Sequence, residues 1–181
     1  MLELKQITQY EEQAARLIKA FWLAHNDYLQ TDEETAEDFS NWTAEGHRFY
    51  YITKDGCAIG FIHLGSRGAN VDWVEDLFII PEFQGHGYGS EALSLIENIV
   101  KEYSESIYLE VAARNLRALK LYHKNGYTCL NTVTVRKDFE PDNFEVIEKN
   151  NIAGFDFEIK RYVKKEEQTF SVTLPCRQDI P

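Results

Sequence analysis

The chain has 181 residues, with 30 acidic against 19 basic side chains and a formal net charge of −11. That length suits one domain with a single sizeable core, and 44% apolar and 13% aromatic residues exclude a disordered or low-complexity chain. A pI near 4.9 argues against nucleic acid as the partner, because phosphate binding needs clustered Lys and Arg. The opening MLELKQITQYEEQ lacks the basic and apolar regions of a signal peptide, and no apolar run approaches the roughly 20 residues of a membrane span. Cys57, Cys129 and Cys176 show no CxxC spacing. A reducing, cytoplasmic setting is expected.

In chain order, Leu2 to Ile7 alternates as a strand, and Thr8 stands as N-cap before a helix. Ala14, Leu17, Ile18, Phe21 and Trp22 form the buried stripe of that helix. A more polar helix runs from Thr31 or Asp32 to about Ala44, stopped by Gly46. Arg48 to Thr53 and Cys57 to Leu64 flank Lys54-Asp55-Gly56, a strong hairpin signal. Val71 to Ile80 reads as a long strand closed by Pro81, and Glu91 to about Tyr103 as a helix after a glycine-rich loop. Then follow a short strand, Ile107 to Val111, and a helix, Asn115 to Lys124, stopped at Gly126. Tyr127 to Val135 and Phe155 to Tyr162 read as two closing strands around a polar loop, Asp138 to Asn151, that contains Pro141. Residues 1–164 are expected as one domain, with the tail from 165 to 181 adding an edge strand at Thr169 to Thr173 or a partner contact. Three consecutive strands before a crossover helix predict a mixed α/β sheet with helices on both faces.

The loop Gln84-Gly85-His86-Gly87-Tyr88-Gly89-Ser90 lies between a strand and a helix. Alternate glycines turn successive N–H groups toward one concavity, and the helix dipole adds partial positive charge, so the loop suits an anion. A Rossmann fingerprint would need glycine where Ser90 stands, and a Walker loop would need a lysine. Both nucleotide readings fail on those residues.

Gln84-x-x-Gly87-x-Gly89, after a strand ending Leu77-Phe78-Ile79-Ile80-Pro81, resembles the acetyl-CoA motif of the GNAT N-acetyltransferases. Asn115-x-x-Ala118-x-x-x-Tyr122-x-x-x-Gly126-Tyr127 resembles the second half of that signature, in the expected order. Within the family, Val74-Glu75-Asp76-Leu77-Phe78 and Gly87-Tyr88-Gly89-Ser90-Glu91 are most similar to the diamine and polyamine acetyltransferases. The resemblance implies a mostly antiparallel GNAT-like sheet and acetyl-CoA as donor. It implies that the backbone of Leu77, Phe78 and Ile79 pairs with the pantetheine arm, and that Gln84, Gly85, His86, Gly87, Tyr88, Gly89 and Ser90 hold the pyrophosphate. It also implies a CoA contact for Asn115, which is otherwise a natural N-cap, and a general-acid role for Tyr122, otherwise a core tyrosine.

An amine of pKa about 10 is mostly protonated at neutral pH, so attack on a thioester needs a base. Glu75 and Asp76 are the candidates, with Glu75 assigned as base and Asp76 as ammonium ligand. Adjacent residues of a regular strand face opposite ways, so only one lines a cleft unless a bulge intervenes. The resemblance implies splaying at this strand. The resemblance implies that the first two helices wall the acceptor cleft; Ala20 to His47 holds no Lys or Arg but many acids, and with Trp22, Asp27 and Tyr28 it would suit a cationic acceptor there. The plainer reading of that run is a solvated helix face. Val111 to Lys137 holds no Asp or Glu and several Lys and Arg, suited to CoA phosphates. The five histidines show no zinc spacing, so no metal is expected. The sequence therefore predicts direct acetyl transfer to the primary amine of a polyamine, diamine or aminoglycoside, with a homodimer as the expected assembly. A peptide or protein amine, or a CoA-binding regulatory domain without catalysis, are the alternatives.

Overall fold

A computed structural model of the chain describes residues 1–163, which fall into two compact units, residues 1–110 and residues 111–163. The first unit runs β1 Leu2–Ile7, α1 Glu12–Asn26, α2 Asp32–Trp42, β2 His47–Lys54, β3 Cys57–Gly65, β4 Trp73–Ile79, α3 Tyr88–Val100 and β5 Tyr108–Leu109. Its five strands lie in chain order, β1 to β4 antiparallel and β5 parallel to β4. This is the mixed, mostly antiparallel sheet that the sequence predicts. The possible edge strand at Thr169 to Thr173 lies outside the described residues.

Side-chain alternation builds two cores, one on each face of the sheet. Phe49, Tyr51, Phe61 and Phe78 pack beneath Ala14, Leu17, Ile18 and Phe21 of α1 and Phe39 of α2. Tyr50, Ile52, Ile62, Leu64, Val74 and Ile79 pack against Ala92, Ile96 and Val100 of α3. Phe49 and Phe61 are fully buried, and each such side chain contributes about 1.5–3 kcal/mol. The β2–β3 hairpin closes on Asp55 and Gly56, at φ of 51° and 82°, the left-handed pair that a two-residue turn requires.

Two bulges break the alternation. Ile52 faces Gly60 while Thr53 faces Ala58, which leaves Ile59 as an extra residue. On β4, Asp76 faces His63 while Val74 faces Leu64, and Glu75 is the extra residue. Val74, Leu77 and Ile79 all reach the α3 face in consequence, a set that a regular strand forbids. Glu75 therefore does not simply share a face with Leu77 and Ile79, as strict alternation would have it.

Several predicted boundaries move. Thr8 is not the cap of α1: the helix begins at Glu12 with Glu11 at the N-cap, and Tyr10 outside it packs edge-on against Phe39. Thr31 does cap α2, in a reciprocal capping box with Glu34, but the helix stops at Trp42, where the Thr43 hydroxyl bonds the Phe39 carbonyl. Helix α3 starts at Tyr88, not Glu91, because Gly87 in the left-handed region already serves as its N-cap.

In the second unit, α4 spans Leu116–Lys124, and β6 Phe144–Ile152 pairs with β7 Phe155–Tyr162 across a turn at Ala153 and Gly154. The predicted strand over residues 127–135 does not form, and half of the predicted loop at 138–151 is strand β6. The two-residue turn brings β6 onto β7 with little loop-closure entropy, so the ladder that a strand needs goes to residues 144–152. Val133 and Val135 share one strand face, yet they and Leu130 have no ladder and lie exposed. Pro141 sits in a single 3₁₀ turn just ahead of β6, where its missing N–H costs no pairing.

At Gly60, β4 leaves no room for a side chain on β3. A methyl group there would lie 2.0 Å from the Phe78 carbonyl oxygen and 3.0 Å from the Ile79 Cα. Gly60→Ala is expected to lower stability by about 1–3 kcal/mol in urea unfolding. A variant as stable as the parent would contradict this packing.

Candidate active site

Strand β4 is hydrogen-bonded to β3 along its length, from Trp73 to Ile79. On its other edge, pairing with β5 ends after Trp73 and Val74. Among the described residues, no strand pairs with that edge at Leu77, Phe78 and Ile79, the residues assigned to the pantetheine arm. An extended, amide-bearing ligand added there would complete a ladder. The loop that follows is held in place from within, because the Gln84 side-chain amide donates to the Ile79 carbonyl at 2.7 Å. Gly85 and Gly87 adopt φ of 81° and 86° with open space beside them, so backbone conformation and not crowding demands glycine. Tyr88, Gly89 and Ser90 form the first turn of α3, whose N-cap supplies no side-chain hydrogen bond. His86 stacks on Tyr88, with ring centroids 5.7 Å apart.

The two candidate carboxylates diverge at the bulge. Glu75 is clasped by Arg67, Nε to Oε1 at 3.2 Å and Nη2 to Oε2 at 3.0 Å. Arg67 also bonds Glu110 at 2.8 Å and stacks on Trp73, its guanidinium carbon 3.8 Å from the ring centroid. The hydrogen bonds that Arg67 donates to Glu75 and Glu110 raise its own pKa, and the guanidinium in turn holds the Glu110 carboxyl below its ordinary value. Asp76 takes a different partner. Its Oδ2 lies 2.9 Å from Nδ1 of the buried His63, whose Nε2 lies 2.9 Å from Nδ1 of His47.

In the second unit, Asn115 is the N-cap of α4, its side chain accepting from the Ala118 amide at 3.1 Å. Its structural role is as expected from sequence. Tyr122 stands seven residues on, two turns along the same face, with its ring edge-on to Tyr127 at 5.9 Å. Arg117, Lys120 and Lys124 of this helix are exposed, while Arg136 pairs with Asp138 at 2.9 Å.

A model of the Acetyltransferase (GNAT) family matches residues 12–127, well over half of the chain. The chain belongs to the GNAT acetyltransferase family. Among solved structures, the aminoglycoside N-acetyltransferase AAC(6')-Iy in complex with CoA shares the fold at a TM-score of 0.59 and 17% identity, over 77% of this chain and 95% of that one. The putative acetyltransferase YycN from Bacillus subtilis matches at a TM-score of 0.52 and 15% identity, over 76% and 100%. An aminoglycoside acetyltransferase from an uncultured soil metagenomic sample, in complex with trehalose, matches at 0.56 and 13%, over 76% and 95%. No curated protein matches the chain.

In this GNAT protein the acidic run at α1 and α2 is largely committed to its own scaffold. Asp38 Oδ2 accepts from both the Trp22 indole and the Gln30 amide, each at 2.6 Å. Glu34 closes the capping box and accepts from the Tyr28 hydroxyl, which lowers the Glu34 pKa and raises that of Tyr28. Asp32 pairs with Lys19, and Asp27 is the left-handed C-cap of α1. Of the expected wall, Trp22 is half-buried against the core, and Tyr28 and Asp27 are exposed. Glu33, Glu37 and Glu45 are exposed as well.

Four residues escaped the sequence reading. Arg67 from the β3–β4 connection reaches Glu75, and His63 with His47 behind it reaches Asp76, through tertiary placement that no local motif encodes. Lys54 lies with Nζ 5.6 Å from the Tyr88 ring centroid, close to the start of α3, and hydrogen bonds to Asp55 and Tyr88 raise its pKa. Among the described residues, no group of His, Cys, Asp and Glu is arranged to hold a metal ion, and no helix is long and apolar enough to cross a membrane.

Asp38→Ala is expected to cost about 1–3 kcal/mol, since it orphans two partly buried donors. Glu33→Ala, on an exposed helix face, is expected to stay within about 0.5 kcal/mol. Equal losses in parallel thermal melts would refute the scaffold role of Asp38.

Proposed function

We propose that this GNAT protein is an acetyl-CoA-dependent N-acetyltransferase that acts on the primary amine of a small cationic molecule by direct attack. The observation that carries the reading is the open outer edge of β4 at Leu77 to Ile79, followed at once by a glycine loop at a helix start. The open ladder and the loop fit the two ends of one ligand, an amide-bearing arm and a pyrophosphate. When bound, acetyl-CoA supplies an acetyl group activated as a thioester. Leu77, Phe78 and Ile79 would align the arm through backbone hydrogen bonds, and the amides of Gly85 to Ser90 would meet the phosphates near the positive end of α3. Lys54, beside Tyr88, adds a cation to that end.

Tyr122 is the residue assigned to return a proton to the leaving thiolate, and Asn115 the one assigned a second cofactor contact. Their assignment comes from the motif Asn115-x-x-Ala118-x-x-x-Tyr122. Asp76 and Glu75 lie on the bulged strand next to the open edge and lend that region negative charge, offset in part by their partners His63 and Arg67. The exposed acids Glu33, Glu37 and Glu45 add a field of the same sign. Support for a small amine also comes from structural neighbours: one is AAC(6')-Iy in complex with the bisubstrate analog CoA-S-monomethyl-acetylneamine.

An amine panel of diamines, polyamines, aminoglycosides and a lysine-containing peptide, with release of free CoA as readout, tests the reading. Turnover is expected on at least one small polycation, and Tyr122→Phe is expected to reduce kcat by about 10²-fold or more while CoA affinity is unchanged. Turnover on the peptide alone would sink the small-cation assignment. CoA binding without turnover on any amine would leave a binding domain in place of an enzyme.

A further inference from the structure

The row Asp76, His63, His47 crosses three strands on the face of the sheet that carries α1 and α2. Register sets it up: Asp76 stands opposite His63 on β3, and β2 brings His47 alongside from the far side. Trp42 of α2 stacks on the His63 ring at 5.0 Å between centroids and 17° between planes, and His47 lies against the same ring at 5.1 Å. His63 is only 3% exposed, and His47 is half-buried, so the row leads from a dry interior to an accessible imidazole.

The hydrogen-bond chemistry of this row fixes where its free lone pair lies. An ionised Asp76 can only accept, so His63 donates to it from Nδ1. The Nε2 of a neutral His63 then accepts, and His47 donates to it from Nδ1. Nε2 of His47 is left as an unprotonated base, with no hydrogen-bond partner among the described residues. A carboxylate behind a buried imidazole orients the next ring and favours the cation that forms on it, the arrangement by which a weak base is made effective.

We propose that His47, held and backed by His63 and Asp76, accepts the proton that the acceptor amine must lose before acetyl transfer; this rests on the amine-acetylation reading above. An ammonium R–NH3⁺ gives one proton to His47 Nε2 and becomes a nucleophile. Its nitrogen forms the C–N bond as the C–S bond breaks, and the second amine proton leaves with the thiol, so the net products are amide, CoA thiol and one proton. That proton leaves His47 for solvent, which its half-buried position permits. His63 and Asp76 are positioning residues, since neither needs to touch the amine.

Three features favour His47 over Glu75 as the acceptor. Both oxygens of Glu75 are engaged by Arg67 in a bidentate pair. A base that works at neutral pH needs a pKa near neutral, as an imidazole has. Burial and the neighbouring His63 lower the His47 pKa, against an opposing effect of Glu75, which favours the neutral, proton-accepting ring. Of the titratable groups around it, His63 from β3 bonds it directly and Glu75 from β4 acts on it at longer range, while Asp76 of β4 lies behind His63 and α2 presents the uncharged Trp42 to the His63 ring.

The test uses the full chain and three readouts. Nitrogen-15 spectra of the histidine rings are expected to show His47 as the Nδ1–H tautomer, titrating below the ordinary imidazole range. Detection of the Nε2–H tautomer overturns the proposal whether or not any amine turns over. With an amine that the parent acetylates, His47→Gln is expected to lower kcat by about 10²–10⁴-fold, to remove the acid limb of the kcat–pH profile, and to leave CoA affinity by calorimetry unchanged. His63→Gln is expected to shift that limb with a smaller loss, and free imidazole to restore part of the His47→Ala rate. Parent-like kcat and pH profile in His47→Gln, or loss of the acid limb in Glu75→Gln alone, overturns the relay and leaves the acetyltransferase reading standing. A parent that binds CoA and acetylates no amine overturns both.

Discussion

The ladder between β4 and β5 stops after two residue pairs, while the ladder between β4 and β3 runs on for the whole strand. One cause is an inserted residue. Glu75 bulges β4 where β3 keeps its register, and a bulge bends and twists its strand. A second is the short β5, which ends at Leu109 just before Glu110 turns to Arg67. The open β4 edge, the split between Glu75 and Asp76, and the contact of Asp76 with His63 all follow from that one departure from regular pairing.

Keeping the bulge in place falls to an ion-pair cluster and not to the core. Arg67 binds Glu75 and Glu110 at once, and lies on Trp73, which itself stacks on Tyr108 at 5.0 Å between centroids. A planar guanidinium can serve two carboxylates and an aromatic face together, which a lysine cannot. The cluster thus connects the β3–β4 connection, the start of β4 and the end of β5. At the other end of the strand, Gly60 lets β3 approach the Phe78 carbonyl, so the edge that remains open is carried on a closely packed partner.

The net charge of −11 conceals a division of labour among the acids. Asp32, Glu34 and Asp38 sit at or near the start of α2 or bond their neighbours, which is ordinary helix-dipole and capping chemistry. Glu75 and Asp76 are each engaged with a different basic side chain on the sheet. Only the exposed remainder contributes a free field at the surface. A count of acidic residues in the run from Ala20 to His47 therefore overstates the charge available to an acceptor, because capping and packing have prior claims.

The sequence by itself determined the features whose physics is local. The Asp-Gly turn, the start of α2 at Thr31 or Asp32, the N-cap at Asn115, the stripe of α1 and the glycine loop before α3 are each encoded within a few residues, and each stands where it was expected. The family is legible for the same reason, since both halves of its motif are contiguous. Where pairing decides, the sequence misled: residues 127–135 carry a strand pattern as good as that of 144–152, but a ladder forms only where a turn delivers a partner. The bulge, the Arg67 clasp and the His47–His63–Asp76 row belong to the tertiary structure alone. Each depends on which residue of one strand stands opposite which residue of the next, and that register is set by packing over the whole sheet.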